Sequence, residues 1–279
     1  MPELPEVETV MRGIDPVLTG KRLVMAQKRR PTLRFPIPED FEAALTGKRV
    51  IGMRRRSKYI LMEMEGDLTV LIHLGMSGRI RLFKGQDSET YEAEKHDHIL
   101  LKTEEGTLLA YNDPRRFGMW LFIDSNSVDE HDLIKNIGPE PLGNHFNADY
   151  LSSRFEGKKT PIKSALLDQR LIAGLGNIYV CEALWRTGIH PKRQAGKIAE
   201  KRLSKLVPAI RDILQDAIIS GGSTLKDHAQ VDGELGYFQH KFNAYGRENA
   251  PCLRDSCSGT IKRIIQSGRS TFYCDSCQK

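Results

Sequence analysis

Residues 48–83 read KRVIGMRRRSKYILMEMEGDLTVLIHLGMSGRIRLF. Four short runs rich in Val, Ile, Leu, Met and Tyr, at 48–53, 59–64, 68–73 and 79–83, are separated by turn residues. Runs of this length fall short of the roughly ten residues of an ordinary helix and suit strands. The same rhythm continues outward at 23–27, 99–102, 107–111 and 119–123. Eight short strands between about residues 21 and 124 predict an antiparallel β-sandwich or barrel-like domain. Segment 85–97 is polar and reads as a loop.

Ahead of the strands, Val7, Val10, Met11, Ile14 and Leu18 recur at helical spacing over 6–18, closed by Gly20, with Pro16 placed to kink or end the helix. Beyond Asp124 the strand rhythm stops. Residues 125–145, with Pro139 and Pro141, read as a connector, and helical patterns follow at 147–155, 162–168, 177–187 and 197–219. The apolar, glycine-containing link 169–177 is longer than an ordinary helix-turn-helix connection. Segment 220–240 carries Gly221, Gly222, Gly233 and Gly236 and reads as a mobile loop. The fold expected is multidomain α+β: an N-terminal helix plus antiparallel β-sandwich (1–124), a linker (125–145), a helical domain (146–247) and a cysteine module (248–279).

Four of the five cysteines lie in that last module, as Cys252-x4-Cys257-x16-Cys274-x2-Cys277. Two short knuckles separated by one hairpin length suit tetrahedral zinc, and four thiolates leave no open position, so one structural Zn2+ is expected. Residues 261–273 between the knuckles read as a β-hairpin with Ser267-Gly268 at the turn and Arg269 just beyond it, a tip suited to phosphate. Cys181, alone in a helical pattern, reads as a buried structural thiol.

The chain of 279 residues has 42 Lys and Arg against 36 Asp and Glu, a net charge of +6, which favours an anionic partner. Basic clusters at Lys28-Arg29-Arg30, Arg54-Arg55-Arg56-Ser57-Lys58, Arg115-Arg116 and Lys158-Lys159, together with the basic hairpin, point to a nucleic-acid groove. No apolar run approaches the ~20 residues of a membrane span and no leader is recognisable, so a cytoplasmic protein without a membrane partner is expected.

The chain opens Met1-Pro2-Glu3-Leu4-Pro5-Glu6-Val7-Glu8-Thr9. Taken alone, this segment reads first as an arm and helix start with Pro5 in the first turn. The alternative is chemical. Trimming of Met1 would leave the secondary amine of Pro2, and an α-amine has a pKa near ~7.7–8.0, well below that of lysine. A secondary amine condenses with an aldehyde to a permanently cationic iminium, an electron sink, and Glu3 could move the protons.

These residues, with His73-Leu74-Gly75-Met76-Ser77-Gly78, Lys95-His96-Asp97-His98, Asp113-Pro114-Arg115-Arg116-Phe117-Gly118, Gly174-Leu175-Gly176-Asn177-Ile178-Tyr179 and the terminal cysteine hairpin, occur in the order found in the bacterial formamidopyrimidine-DNA glycosylases. The chain resembles that family from Pro2 to Lys279. The resemblance implies an N-terminal helix with a β-sandwich, then a helix–two-turn–helix domain with a zinc finger, DNA lying between the two. It implies a monomeric repair glycosylase and AP lyase acting on double-stranded DNA that contains oxidised purines such as 8-oxoguanine, in the cytoplasm and on the nucleoid. By the same resemblance Pro2 attacks C1′ and forms the imine, Glu3 protonates the sugar ring oxygen, Lys58 contacts phosphate and assists β-elimination, and Arg269 clamps phosphates and serves δ-elimination. His96, Lys158, Lys163 and Asn177 match DNA-contacting positions, and Tyr245 and Arg247 add phosphate contacts. Met76 fills the void left by the flipped base, Phe117 wedges between bases, and Arg115 reads the estranged cytosine. The flipped purine lies under loop 220–240. The first zinc knuckle departs from the usual pattern, with four residues (Leu253, Arg254, Asp255, Ser256) where most family members have two. Two other readings share these residues: an endonuclease VIII-type glycosylase for oxidised pyrimidines, against which Leu4 and the triad Met76, Arg115, Phe117 speak, and a non-catalytic DNA-binding relative, against which Pro2, Glu3 and Lys58 speak.

Overall fold

The structure, a computed structural model, describes residues 2–223 and 236–279. The chain forms two compact units, one from residues up to 135 with segment 220–237, the other from residues 136–219 with 238–279.

The first unit opens with helix α1 (Leu4–Leu18), whose Leu4, Val7, Val10, Ile14 and Leu18 are buried along one face. Pro16 lies inside it, so the helix neither ends nor stops short there. The proline has no N–H to donate, yet the last turn still closes, the Thr19 N–H donating to the Asp15 carbonyl at 2.9 Å. Eight antiparallel strands follow: β1 (Leu23–Lys28), β2 (Val50–Arg56), β3 (Tyr59–Met64), β4 (Leu68–His73), β5 (Arg79–Phe83), β6 (Asp97–Thr103), β7 (Leu108–Asn112) and β8 (Met119–Asp124). They pair in two sheets ordered β2-β3-β4-β8 and β1-β6-β7-β5. Every second residue enters one shared core: Ile60, Met62 and Met64 from β3, Val70 and Ile72 from β4, Ile99 and Leu101 from β6, Leu109 and Tyr111 from β7, with the inner face of α1. This period-two filling from both sheets makes a sandwich. Two short helices lie outside the strand rhythm, α2 (Phe41–Leu45) and, within the segment read as a loop, α3 (Gln86–Glu89).

The second unit holds α4 (Ala148–Phe155), α5 (Ile162–Leu166), α6 (Asn177–Arg186) and α7 (Glu200–Ile219), then the hairpin β9 (Ile261–Gln266) and β10 (Arg269–Cys274). Helix α7 buries Leu203, Leu206, Val207, Ile210, Ile213 and Leu214, the stripe of an amphipathic helix. Trp185, Ala244, Cys252, Ile261, Phe272 and Cys274 form a small separate core beneath the cysteine module. Of loop 220–240, residues 224–235 lie outside the described residues, and with them the expected cover of a flipped base.

Candidate active site

Pro2 is buried at the foot of α1, and Glu3 is the N-cap residue, 5% exposed. The cap is reciprocal: the Glu3 carboxylate faces the Glu6 N–H, and the Glu3 N–H donates to Glu6 Oε2 at 2.8 Å. This capping box fixes the Glu3 backbone next to Pro2. Glu6 does more than cap. Its Oε1 accepts from the N–H and the hydroxyl of Ser223 at 2.9 and 2.8 Å, so one buried carboxylate joins the start of α1 to the first edge of loop 220–240. Gly222, at φ +81°, permits this approach, since a Cβ there would stand 3.3 Å from Glu6. Sequence reading missed Glu6 as a site residue. Its only signal was the acidic N3 position three residues after Glu3.

Lys58 stands in the two-residue turn between β2 and β3, closed by the Arg56–Tyr59 pair, with Ser57 at φ +55°. It is 7% exposed. Arg55 ties this turn to α1: its Nε donates to Glu8 Oε2 at 2.8 Å and its Nη1 to the Ser57 carbonyl at 2.8 Å. Helix α1, which follows Pro2 and Glu3, and the turn that carries Lys58 are thus joined through one side chain. The basic run 54–58 is therefore partly neutralised internally, with Arg54 also paired to Glu63 at 3.0 Å. On β4, His73 sits opposite Tyr59, and its Nδ1 accepts from the Gly75 N–H at 3.0 Å. Burial, then the cations of Lys58 and Arg34, push its pKa down to about 4, so the ring is neutral at physiological pH and carries its proton on Nε2.

The segments His73–Gly78 and Asp113–Gly118 close on each other through glycine. A Cβ at Gly75 (φ +67°) would come within 2.5 Å of the Phe117 and Gly118 backbone, and one at Gly118 within 1.7 Å of the Tyr111 hydroxyl. Fully buried Asp113 organises the pair. Its Oδ2 accepts from Gly118 N–H at 2.8 Å and from Tyr111 Oη at 3.2 Å, and its Oδ1 accepts from Ser77 Oγ at 2.6 Å. Burial and Asp113 raise the Tyr111 pKa, keeping the phenol a donor. Ser77 Oγ in turn accepts from the Arg115 N–H at 3.1 Å. The result displays Met76 (38% exposed) and Phe117 (44% exposed) from adjoining loops, with the Arg115 guanidinium 5.1 Å from the Phe117 ring centre. Exposed apolar side chains on a buried polar frame suit insertion into a base stack. Half-buried His96 is held at the same loop by its carbonyl, which accepts from the Asp113 N–H at 3.0 Å. Asp97 beside it accepts from Arg81, Asn112, Tyr91 and the Glu94 N–H. Those bonds outweigh its burial and hold it below the usual carboxylate range.

In the second unit the hairpin turn Ser267-Gly268, both at positive φ, presents exposed Arg269. Two predicted DNA-contacting side chains converge on the strand behind it. Lys163, fully buried, donates from Nζ to the Ser270 carbonyl at 3.1 Å and to Thr271 Oγ1 at 2.7 Å, and Asn177 Nδ2 donates to the same carbonyl at 2.9 Å. Asn177 opens α6 after the N-cap Gly176. Lys158 is half-buried beyond α4. Tyr245 and Arg247 lie on the segment leading to the cysteines: buried Glu182 of α6 accepts from the N–H groups of Asn243, Ala244 and Tyr245, and Arg247 donates to the Asn243 carbonyl at 2.9 Å.

The Sγ atoms of Cys252, Cys257, Cys274 and Cys277 all lie within 4.8 Å of one another, with Cys252–Cys277 at 3.8 Å and Cys257–Cys274 at 3.7 Å. Zn–S bonds of ~2.3 Å in a tetrahedron put sulfurs about 3.8 Å apart. The four thiols fit one structural zinc ion.

The comparisons cover the chain from end to end. The formamidopyrimidine-DNA glycosylase N-terminal domain model matches residues 1–120, the H2TH domain model of the same enzyme matches residues 137–229, and the zinc finger found in FPG and IleRS matches residues 250–279. Formamidopyrimidine-DNA glycosylase of Dinoroseobacter shibae is 53% identical over 284 residues, and that of Ruegeria pomeroyi 54% over 283, each alignment covering 100% of both chains. A Lactococcus lactis FPG mutant in complex with Fapy-dG-containing DNA superimposes with a TM-score of 0.90 at 35% identity over 100% of both chains. MutM in complex with carbocyclic 8-oxo-G-containing DNA does so with 0.89 at 36% over 100% of both. Matched along its whole length in sequence, domain order and fold, the chain belongs to the formamidopyrimidine-DNA glycosylase family.

Proposed function

We propose that this protein is a base-excision repair enzyme, a bifunctional DNA glycosylase and AP lyase that removes oxidised purines from duplex DNA and nicks the strand by β,δ-elimination. The observation that carries the reading is the capped N-terminus: Pro2 buried beside Glu3, in a chain more than half identical to formamidopyrimidine-DNA glycosylases over its full length. Once Met1 is removed, the Pro2 nitrogen attacks C1′, the N-glycosidic bond breaks and the base leaves. Glu3 protonates the ring oxygen as the sugar opens to the iminium. That cation acidifies C2′, and loss of its proton expels the 3′ phosphate. A second elimination expels the 5′ phosphate.

Lys58, held towards α1 by Arg55, serves phosphate contact and β-elimination, and Arg269 serves phosphate clamping and δ-elimination. Met76, Phe117 and Arg115 occupy the gap left by the flipped nucleotide, Arg115 reading cytosine. His96, Lys158 and Asn177 contact the backbone, and Lys163 contributes through the hairpin strand that it anchors. Residues 1–124 carry the chemistry, 125–145 link, 146–247 grip DNA, and 248–279 hold the hairpin. The enzyme works as a monomer in the cytoplasm, on nucleoid DNA. No helix among the described residues is long and apolar enough to cross a membrane.

The test is single-turnover processing of a duplex carrying 8-oxoguanine opposite cytosine. Release of the base with a nick bearing phosphate at both ends is the expected outcome. Preference for an oxidised pyrimidine over 8-oxoguanine would overturn the purine assignment.

A further inference from the structure

The widened first knuckle brings Arg254 against the C-terminal end of α6. Its Nη2 donates to the Trp185 carbonyl and, at 3.4 Å, to the Arg186 carbonyl, and its guanidinium lies 5.2 Å from the Trp185 ring centre. The last carbonyls of a helix lack intrahelical donors and carry partial negative charge, so a cation here is favoured twice, by hydrogen bonding and by the dipole. The aromatic face adds a cation–π contact. The same indole donates from Nε1 to Cys252 Sγ at 3.3 Å. Trp185 and Cys252 are 8% and 7% exposed, so this N–H and sulfur face each other away from water.

Helix α6 is therefore joined to the cysteine module at three levels. Asn177 at its first turn holds the hairpin carbonyl of Ser270, Glu182 in its middle gathers the backbone of 243–245, and Trp185 at its end meets both Cys252 and Arg254. We propose that Arg254 is a positioning residue that fastens the four-residue knuckle to the end of α6, with Trp185 as the joint through which the zinc ligand Cys252 is held. The knuckle, the helix bearing Asn177 and the hairpin bearing Arg269 then form one body. The inference rests on the proposed function only for the importance it gives to Arg269.

Zinc transfer from the full-length holoprotein to a colorimetric chelator tests this without any DNA. Arg254→Ala should release zinc roughly tenfold faster, as loss of a residue that orients a ligand usually does. Arg254→Lys should not restore the wild-type rate, because an ammonium lacks the planar fork and the stacking face. A spectroscopic reading comes from the Trp120→Phe background, where Trp185 is the one remaining tryptophan. Zinc withdrawal should shift its emission, and Arg254→Ala should shift it with zinc still bound. On the 8-oxoguanine duplex, Arg254→Ala should raise KM and leave kcat near wild type. An unchanged release rate together with unchanged Trp185 emission would overturn the proposal. A protein that cleaved no 8-oxoguanine duplex would instead overturn the proposed function, and the zinc and emission results would still decide the role of Arg254.

Discussion

His73 lies beside Lys58, and its charge state bears on both acid stability and the local field. Its folded pKa of about 4 lies below the ordinary 6.5, so the unfolded chain takes up the proton first. The native state is therefore penalised as pH falls from 6.5 towards 4, by something on the order of 3 kcal/mol at the low end. Urea unfolding of wild type and His73→Gln between pH 7 and pH 4 should show a smaller acid loss in the variant. Parallel curves would mean that the ring is not held neutral by burial and its cationic neighbours. Glu3 belongs to the same scale. Protonating the sugar during base departure is a task that a pre-formed abasic aldehyde does not require. Glu3→Gln should lose excision of 8-oxoguanine far more than cleavage of an abasic site, and equal losses on the two substrates would contradict its role.

Among the elements, the paired loops 73–78 and 113–118 form the clearest functional unit. Ser77 is buried, and its hydroxyl joins Asp113 to the Arg115 backbone. Ser77→Ala should cost about 1–3 kcal/mol by stripping a buried carboxylate of one donor. It should also narrow the preference for cytosine over adenine opposite the lesion, measured by single-turnover excision, since Arg115 would lose its frame. A full preference in a destabilised variant would make Ser77 structural only. In the cysteine module, Cys252→Ser should release the metal and weaken DNA binding while leaving the sandwich folded. A variant that kept stoichiometric zinc would contradict the four-thiolate site. The strands between 48 and 83 were legible because short apolar runs there are bounded by turn residues, and the hairpin turn at Ser267-Gly268 because Gly268 adopts positive φ without strain. Asp113 as an organiser was not, because its partner Ser77 is 36 residues away and nothing local marks the pair. The position of Lys163 was equally hidden, since its acceptors stand 107 and 108 residues downstream. Helix α2 escaped because one turn, with Phe41 and Leu45 as its buried residues, carries too little periodicity.

At the scale of the whole molecule, the order of modules and the metal could be read from motifs, whereas the use of the positive charge could not. Lys28 and Arg29 are turned to the carbonyls of Pro38, Glu39, Glu94 and Asp97, and Arg54 and Arg55 face Glu63 and Glu8. A basic run in sequence thus counts side chains that the fold spends on its own carbonyls and carboxylates. DNA affinity should fall steeply with salt, and Arg269→Ala or Lys158→Ala should each reduce the log–log slope by about one. Arg54→Ala should leave the slope unchanged, because its charge is matched by Glu63. A slope that fell equally for Arg54 would return that run to the DNA interface. The central claim remains the imine at Pro2, and borohydride reduction during turnover of an 8-oxoguanine duplex tests it most directly. Peptide mapping of the trapped complex should place the damaged strand on the peptide that begins at Pro2, and Pro2→Gly should trap far less. An adduct on Lys58 or another internal lysine, with Pro2→Gly fully active, would contradict the account.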